Sequence, residues 1–211
     1  MTVDAALASG LEALHLSAVD EVEDKLLVYI ALVQKWNRVY NLTAIREPEK
    51  MLTHHVLDSL SVVPHLTGMR IVDVGSGAGL PGIPIALALP RSYVTLVESS
   101  HKKSTFLKQA VIELELKNVE VANARAEAWH PSPRFDIVIS RAFSDLGEFV
   151  ALAGHLCAED GVLAAMKGVY PYDELNRVPA GYHVDEVKPL NVPGLEAERH
   201  LVMIRPVKEP P

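Results

Sequence analysis

Asp73-Val74-Gly75-Ser76-Gly77-Ala78-Gly79 combines a carboxylate with glycines at alternate positions, directly after the β-branched pair Ile71-Val72. A glycine turn between a strand and a helix lets backbone approach a ligand closely. Glycine reaches positive φ without strain, and the helix that follows offers N–H groups with no helical partner. The next residues, Leu80-Pro81-Gly82-Ile83-Pro84, open such a helix. A second carboxylate, Glu98, closes the next apolar run about 20 residues on, where dinucleotide folds keep an acid for ribose hydroxyls. A nicotinamide site requires glycine at the sixth position of G-x-G-x-x-G; here that position is Leu80 and glycine falls one residue earlier, at Gly79. The ligand expected is therefore ribose-bearing but not a nicotinamide dinucleotide.

The G-x-G-x-G spacing with Asp73 upstream resembles the first motif of class I methyltransferases, which implies S-adenosylmethionine as the ligand of Gly75, Ser76, Gly77, Gly79 and Glu98. In an open parallel sheet, ligands bind beyond the carboxyl ends of the strands, so the residues after each apolar run describe the wall of the site. Glu98 is followed by His101-Lys102-Lys103. The third run is followed by Asn123, Arg125 and the Ala126-Glu127 pair, the fourth by Ser140-Arg141 and the fifth by Lys167-Gly168. Basic residues decorate loops for solubility alone, but four successive strand ends carrying them predict a positive rim. The chain as a whole has formal charge -7, which excludes a protein that coats nucleic acid nonspecifically, so any positive charge for RNA must be local. Such a rim suits a phosphate-bearing acceptor, and arginine also stacks on bases. Nucleic acid is favoured over a small neutral acceptor; a small anionic metabolite, or RNA binding without catalysis, stays open.

The acceptor chemistry narrows by exclusion. Carbon-5 methylation of pyrimidines needs a cysteine nucleophile, and the single cysteine, Cys157, is expected inside a helical stretch from Leu146 to Ala158 as a small core residue. One cysteine also excludes an internal disulfide and a multi-cysteine zinc site. Adenine-N6 methylation uses an Asn/Asp-Pro-Pro-aromatic turn after the fourth strand, where this chain has Ser140-Arg141-Ala142-Phe143. What remains is an acceptor with a free lone pair and no proton to remove, such as guanine N7. Positioning residues are then expected rather than a general base, with Arg141 as the positioning candidate. His54 and Asp58 share a helix face at i, i+4, but no further ligand accompanies them and no metal is expected. His55, Asp58 and Ser59 are expected to dock a helical segment over the pocket or to touch RNA. Asn37 and Asn41 could do likewise or cap turns before Thr43.

Around these residues the sequence predicts two textures. From Ser17, with Ser17 and Asp20 as a capping-box-like start, Val22, Leu26, Tyr29, Ile30, Val33 and Trp36 recur at three- and four-residue intervals; a second helical stretch runs from about Pro48 to Val63. Residues 1–66 are thus expected as an all-helical extension and residues 67–208 as a Rossmann-like methyltransferase domain. Within the latter, short runs at 71–74, 93–97, 119–122, 135–139 and 162–166 alternate with helices such as 102–116. Together they predict a mostly parallel, doubly wound α/β sheet, closed by an antiparallel pair at 181–187 and 200–205. At 211 residues and 49% hydrophobic, the chain can bury a proper core. The acidic amino terminus is not that of a signal peptide, and the longest uncharged stretch, Val74 to Pro90, is broken by glycine and proline, so a cytoplasmic protein without a membrane span is expected.

Taken in order, Lys35-Trp36-Asn37, Asn41-Leu42-Thr43-Ala44-Ile45, His55-Val56-Leu57-Asp58-Ser59-Leu60, Asp73 to Pro84, Ser140-Arg141-Ala142-Phe143, Met166-Lys167-Gly168 and Arg199-His200-Leu201-Val202 resemble the RsmG (GidB) family from about Leu26 to Arg205. The resemblance implies a methyltransferase that uses S-adenosylmethionine to modify guanine N7 in the 530 loop of 16S ribosomal RNA, at guanine 527 in the usual rRNA numbering. It implies cofactor contact through Gly75, Leu80, the Ala126-Glu127 pair and Arg141, and RNA contact through Arg125 and Lys167. Leu80 stands where many relatives carry Phe, which keeps an apolar contact. The carboxyl tail, Lys208-Glu209-Pro210-Pro211, is poorer in lysine than in some relatives. The partner implied is 16S rRNA in the small subunit or its precursor, met by a monomer.

Overall fold

A computed structural model describes residues 2–19 and 21–207. The chain opens with α1 (Val3–Ala13), which the sequence did not predict. Gly10 in its middle lowers helix propensity, yet a Cβ there would lie 2.7 Å from Leu57 Cδ2. Tertiary packing of Leu7, Gly10 and Leu11 sustains the helix. Helix α2 (Val22–Tyr40) starts later than expected, from Glu21 in a left-handed conformation with no side-chain cap. Ser17 belongs to the turn that reverses the chain out of α1, and Asp20 lies outside the described residues.

The second helical stretch is not one regular helix. It runs as α3 (Pro48–Met51), a π-helical segment (Leu52–Leu57) and α4 (Asp58–Leu60), followed by a 3-10 turn at Val63–His65. Widened π turns of this kind are frequent at functional sites.

From here strands and helices alternate: β1 (Arg70–Val74), α5 (Gly82–Ala88), β2 (Tyr93–Val97), α6 (His101–Glu113), β3 (Val119–Ala122), β4 (Phe135–Ser140), α7 (Leu146–Ala153) and β5 (Cys157–Lys167). Short α8 (Tyr172–Leu175), β6 (Tyr182–Pro189) and β7 (His200–Pro206) complete the described fold. The sheet order is β3-β2-β1-β4-β5-β7-β6; β1 to β5 are parallel, and β7 is antiparallel to both β5 and β6. The expected parallel sheet with its closing antiparallel pair is thus observed.

Cys157 is a correction: α7 stops at Ala153, and Cys157 begins β5 instead of continuing a helix. A Cβ on Gly154 would sit 2.6 Å from Tyr182 Oη, so the chain turns there against β6. The thiol lies at the sheet end opposite the glycine loop, and burial pushes its pKa up to about 12. It is inert as a nucleophile.

Residues alternate between two cores, as a sheet covered on both faces requires. Ile71, Leu96 and Ile139 pack under α5, α6 and the amino-terminal helices in one continuous cluster with Leu7, Leu26 and Leu57; Val72, Val97 and Val138 face α7 in the other. Among the described residues no helix is long and apolar enough to cross a membrane.

Candidate active site

The strand order reverses at β1, which has β2 on one side and β4 on the other. Open α/β sheets hold ligands at such a switch point. The glycine loop leaves β1 there, with positive φ at Gly75 (74°), Gly77 (57°) and Gly79 (90°). A Cβ on Gly77 would meet nothing nearer than Gly75 O at 3.9 Å, so that position is an open cradle, whereas one on Gly75 would press on Ala142 Cβ at 3.0 Å. Ser76 Oγ donates to Asp73 O, and Glu98 closes the loop by accepting from Gly77 N (2.9 Å) and Ser100 N (2.7 Å). Glu98 is buried and already aligned at the end of β2. Ala126 and Glu127 lie in a 3-10 turn after β3, with Ala126 buried and Glu127 3.7 Å from exposed Arg125.

A feature the sequence did not predict holds this loop from the other side. Tyr29, on α2, donates its hydroxyl to Ala78 O at 2.7 Å, and burial pushes its pKa upward. Its place in the apolar periodicity of α2 concealed this polar contact. Thr43, His55 and Asn37 extend the same cover: Asn37 Oδ1 accepts from Thr43 N, and Thr43 Oγ1 is 2.7 Å from His55 Nε2.

Beneath the loop, Asp73 is fully buried. Its Oδ2 accepts from Gly82 N at 3.0 Å, while Oδ1 has no partner. Desolvation raises its carboxyl from an ordinary 3.8 to about 7, against the lowering effect of the Gly82 hydrogen bond. The folded chain therefore holds this proton more tightly than the unfolded chain, and stability falls as pH rises from about 4 to about 7. In urea titrations between pH 5 and pH 8 the wild-type midpoint is expected to drop more steeply than that of Asp73→Asn, which stays neutral and keeps an acceptor for Gly82. Parallel slopes would assign the effect to another group.

Arg141 follows β4. Ser140, buried, ties the ends of β4 and β1 together by donating to Val74 O (2.7 Å) and accepts from Ala142 N, which sets the turn that turns Arg141 toward the helical cover. Arg141 Nη1 donates to His54 O (3.0 Å) and Asp58 Oδ2 (3.1 Å), and Nη2 lies 3.3 Å from His55 Nδ1. The other Asp58 oxygen accepts from Arg199 Nε at 2.8 Å. One carboxylate, 3% exposed, thus joins two guanidiniums from distant strands to the helical cover. The sharing of a helix face by His54 and Asp58 has no structural echo: His54 Nδ1 is 2.8 Å from Thr53 Oγ1, and both Asp58 oxygens face arginines. Burial and, second, Arg141 push the His55 imidazole down to about 4, so it is neutral at physiological pH.

The positive rim is less positive than the sequence suggests. Lys167, at the end of β5, is paired with Glu174 at 2.6 Å and also donates to Phe143 O and Ser144 O. Glu174 in turn accepts from Leu146 N, so the pair clamps the loop after β4. Arg199 and Glu174 carry no mark of a site in the sequence; each pairs with a residue far along the chain or across a turn, and local spacing holds no trace of that.

Two cavities meet at Arg141. One, about 160 Å³, is bounded by the glycine loop, Leu80, Leu42 and Thr43; the other, about 580 Å³, by Asp58, Phe143, Met166, Lys167 and Arg199. His55 and Arg141 line both. The larger volume suits a ligand of nucleotide size.

The family model for GidB, rRNA small subunit methyltransferase G, matches residues 22–202. Ribosomal RNA small subunit methyltransferase G of Nitrosospira multiformis is 58% identical over 94% of this chain and 95% of that protein, and that of Chromobacterium violaceum is 55% identical over the same shares. The chain belongs to the GidB family. A solved SAM-dependent methyltransferase from Aquifex aeolicus shares 18% identity over 74% of this chain and 92% of its own, with a TM-score of 0.58, a likeness of fold. A GidB-family chain is a methyltransferase that uses S-adenosylmethionine, and this site fits that donor. The Gly77 cradle is open and Glu98 is positioned at the end of β2.

Proposed function

We propose that this chain transfers a methyl group from S-adenosylmethionine to N7 of a guanine in 16S rRNA, in the 530 loop at guanine 527. The observation that carries the proposal is the common wall of the two cavities: His55 and Arg141 border both the glycine loop and the nucleotide-sized space beside it. Gly75, Ser76, Gly77, Gly79 and Leu80 cradle the donor, Glu98 takes the ribose hydroxyls, and Ala126 and Glu127 flank the base. When bound, the donor supplies an electrophilic methyl group, and N7 offers a lone pair without a proton to remove. The chain's own residues therefore align and exclude water rather than move protons, in keeping with a His55 held neutral.

Arg141 positions the acceptor against the loop, Asp58 holds Arg141 and Arg199 in place, Arg125 reaches the RNA backbone, and Lys167 shapes the rim through Glu174 while it faces the larger cavity. The helical extension, residues 1–66, acts as the cover of the methyltransferase domain, 67–208. The protein acts as a monomer in the cytoplasm, on the small subunit or its precursor. Small subunits from a strain lacking the gene, incubated with labelled S-adenosylmethionine, are expected to take up label at a site cleaved by the chemistry specific for N7-methylguanine. Labelled RNA that resists that cleavage would overturn the N7 assignment; unlabelled RNA would overturn the substrate.

A further inference from the structure

Beyond β5 the chain leaves the sheet as Gly168-Val169-Tyr170-Pro171-Tyr172, and its aromatic rings are not buried in either core. Tyr172 is 74% exposed and Val169 is 73% exposed, so this one short segment leaves two large apolar side chains to solvent. The rings are ordered against one another. Tyr170 and Tyr172 have centroids 4.4 Å apart, and His200 meets Tyr170 edge-on at 5.4 Å. His200 Nδ1 lies 2.8 Å from Gly168 O, which fixes β7 to this segment.

The cluster adjoins the larger cavity, whose wall includes Gly168, Val169 and Arg199. Arg199 Nη1 would be 3.9 Å from a Cβ on Gly168, so a guanidinium stands at the start of this segment. Its Nε and Nη1 are engaged by Asp58 and Glu198 O, and Nη2 has no partner among the described residues. Asp173, the neighbour of Tyr172, is exposed and offers nothing to a phosphate. An exposed aromatic face on a segment that starts beside the free Nη2 amino group of Arg199 and carries a carboxylate fits the face of a nucleobase, not the sugar-phosphate chain. Proteins that recognise RNA loops stack splayed, unpaired bases on such faces.

We propose that Tyr172, backed by Tyr170, is a stacking platform for an unpaired base of the substrate RNA next to the guanine that enters the cavity. This rests on the RNA-methyltransferase reading above. The platform holds the loop open beside the site and contributes to RNA binding, with no part in donor binding.

The test compares wild type with Tyr172→Ala, Tyr172→Phe and Tyr172→Trp, using small subunits that lack the modification. Tyr172→Ala is expected to raise KM for the subunits roughly tenfold, in the range for loss of one base–aromatic stack. The kcat at saturating RNA and the affinity for S-adenosylmethionine stay at wild-type values. Phe and Trp are expected to restore KM, and the loss should persist unchanged as salt is raised, unlike the loss of a phosphate contact. An alanine variant within twofold of wild type, or a phenylalanine variant as impaired as alanine, overturns the platform. If wild type neither binds nor methylates the subunits, the functional reading falls and the platform with it; if wild type does both while alanine is silent, only the platform falls.

Discussion

Replacing Arg141 with alanine is expected to slow methyl transfer about a hundredfold or more, the scale of loss when a reacting group is misplaced by an ångström. The side chain lies in the wall common to both cavities and touches His54 O, Asp58 and His55 from its two terminal nitrogens. Alanine removes all three contacts at once and merges the two spaces. Lysine should not rescue, because an ammonium is a point donor and cannot span a carbonyl, a carboxylate and an imidazole with a planar fork. Single-turnover transfer at saturating donor separates this effect from weaker donor binding, which calorimetry measures directly. A rate within threefold of wild type would remove Arg141 from the positioning role.

Asp58→Ala is expected to cost about 3 to 5 kcal/mol of stability, the range for removing one partner of a buried ion pair. Its carboxylate is 3% exposed and accepts from both Arg141 and Arg199, which are mostly buried themselves. Without it two guanidiniums face each other across the cover with no counter-charge. For a domain of typical stability, 5 to 15 kcal/mol, that is a large fraction of the whole, measurable as a lower urea midpoint. Activity should fall in parallel, and the double change Asp58→Ala with Arg141→Ala should cost less than the sum, since the two share one interaction. A loss under about 1 kcal/mol, the value of an exposed pair, would show that solvent replaces the carboxylate.

The glycine-loop half of the candidate site was legible in the sequence because its requirements are local. Three glycines at alternate positions, Asp73 before them and Glu98 at the next strand end lie on adjacent strands whose β-branched runs are unmistakable when both faces of a sheet are buried. The half around the larger cavity was only partly legible. Arg141 stood out by its place after β4, but its partner Asp58 lies 83 residues away and the second arginine, Arg199, 141 residues from Asp58. Lys167 looked like a free cation because nothing in the sequence marks Glu174 as its counter-charge.

Helix α1 went unpredicted because Gly10 weakens it as an isolated segment and only the presence of Leu57 explains that glycine. The continuation of α7 through Cys157 failed for the same kind of reason, a contact between Gly154 and Tyr182 that lies outside any local window. The apolar spacing around Leu52 and Leu57 fits an ordinary helix, so the π segment left no signal.

That wide segment, Leu52–Leu57, lets the site absorb a change in chain length that a regular helix could not. A π turn closes its hydrogen bonds one residue later than an α turn, so the stretch amounts to an α-helix carrying a surplus residue. Deleting one residue there would let it relax to the narrower form while the turns on either side keep their facing, because the residue removed is the surplus one. Asp58 would still face both arginines. A second deletion, with no surplus left to give up, would rotate everything beyond by about 100°, the angle one residue subtends in an α-helix, and carry Asp58 away from them.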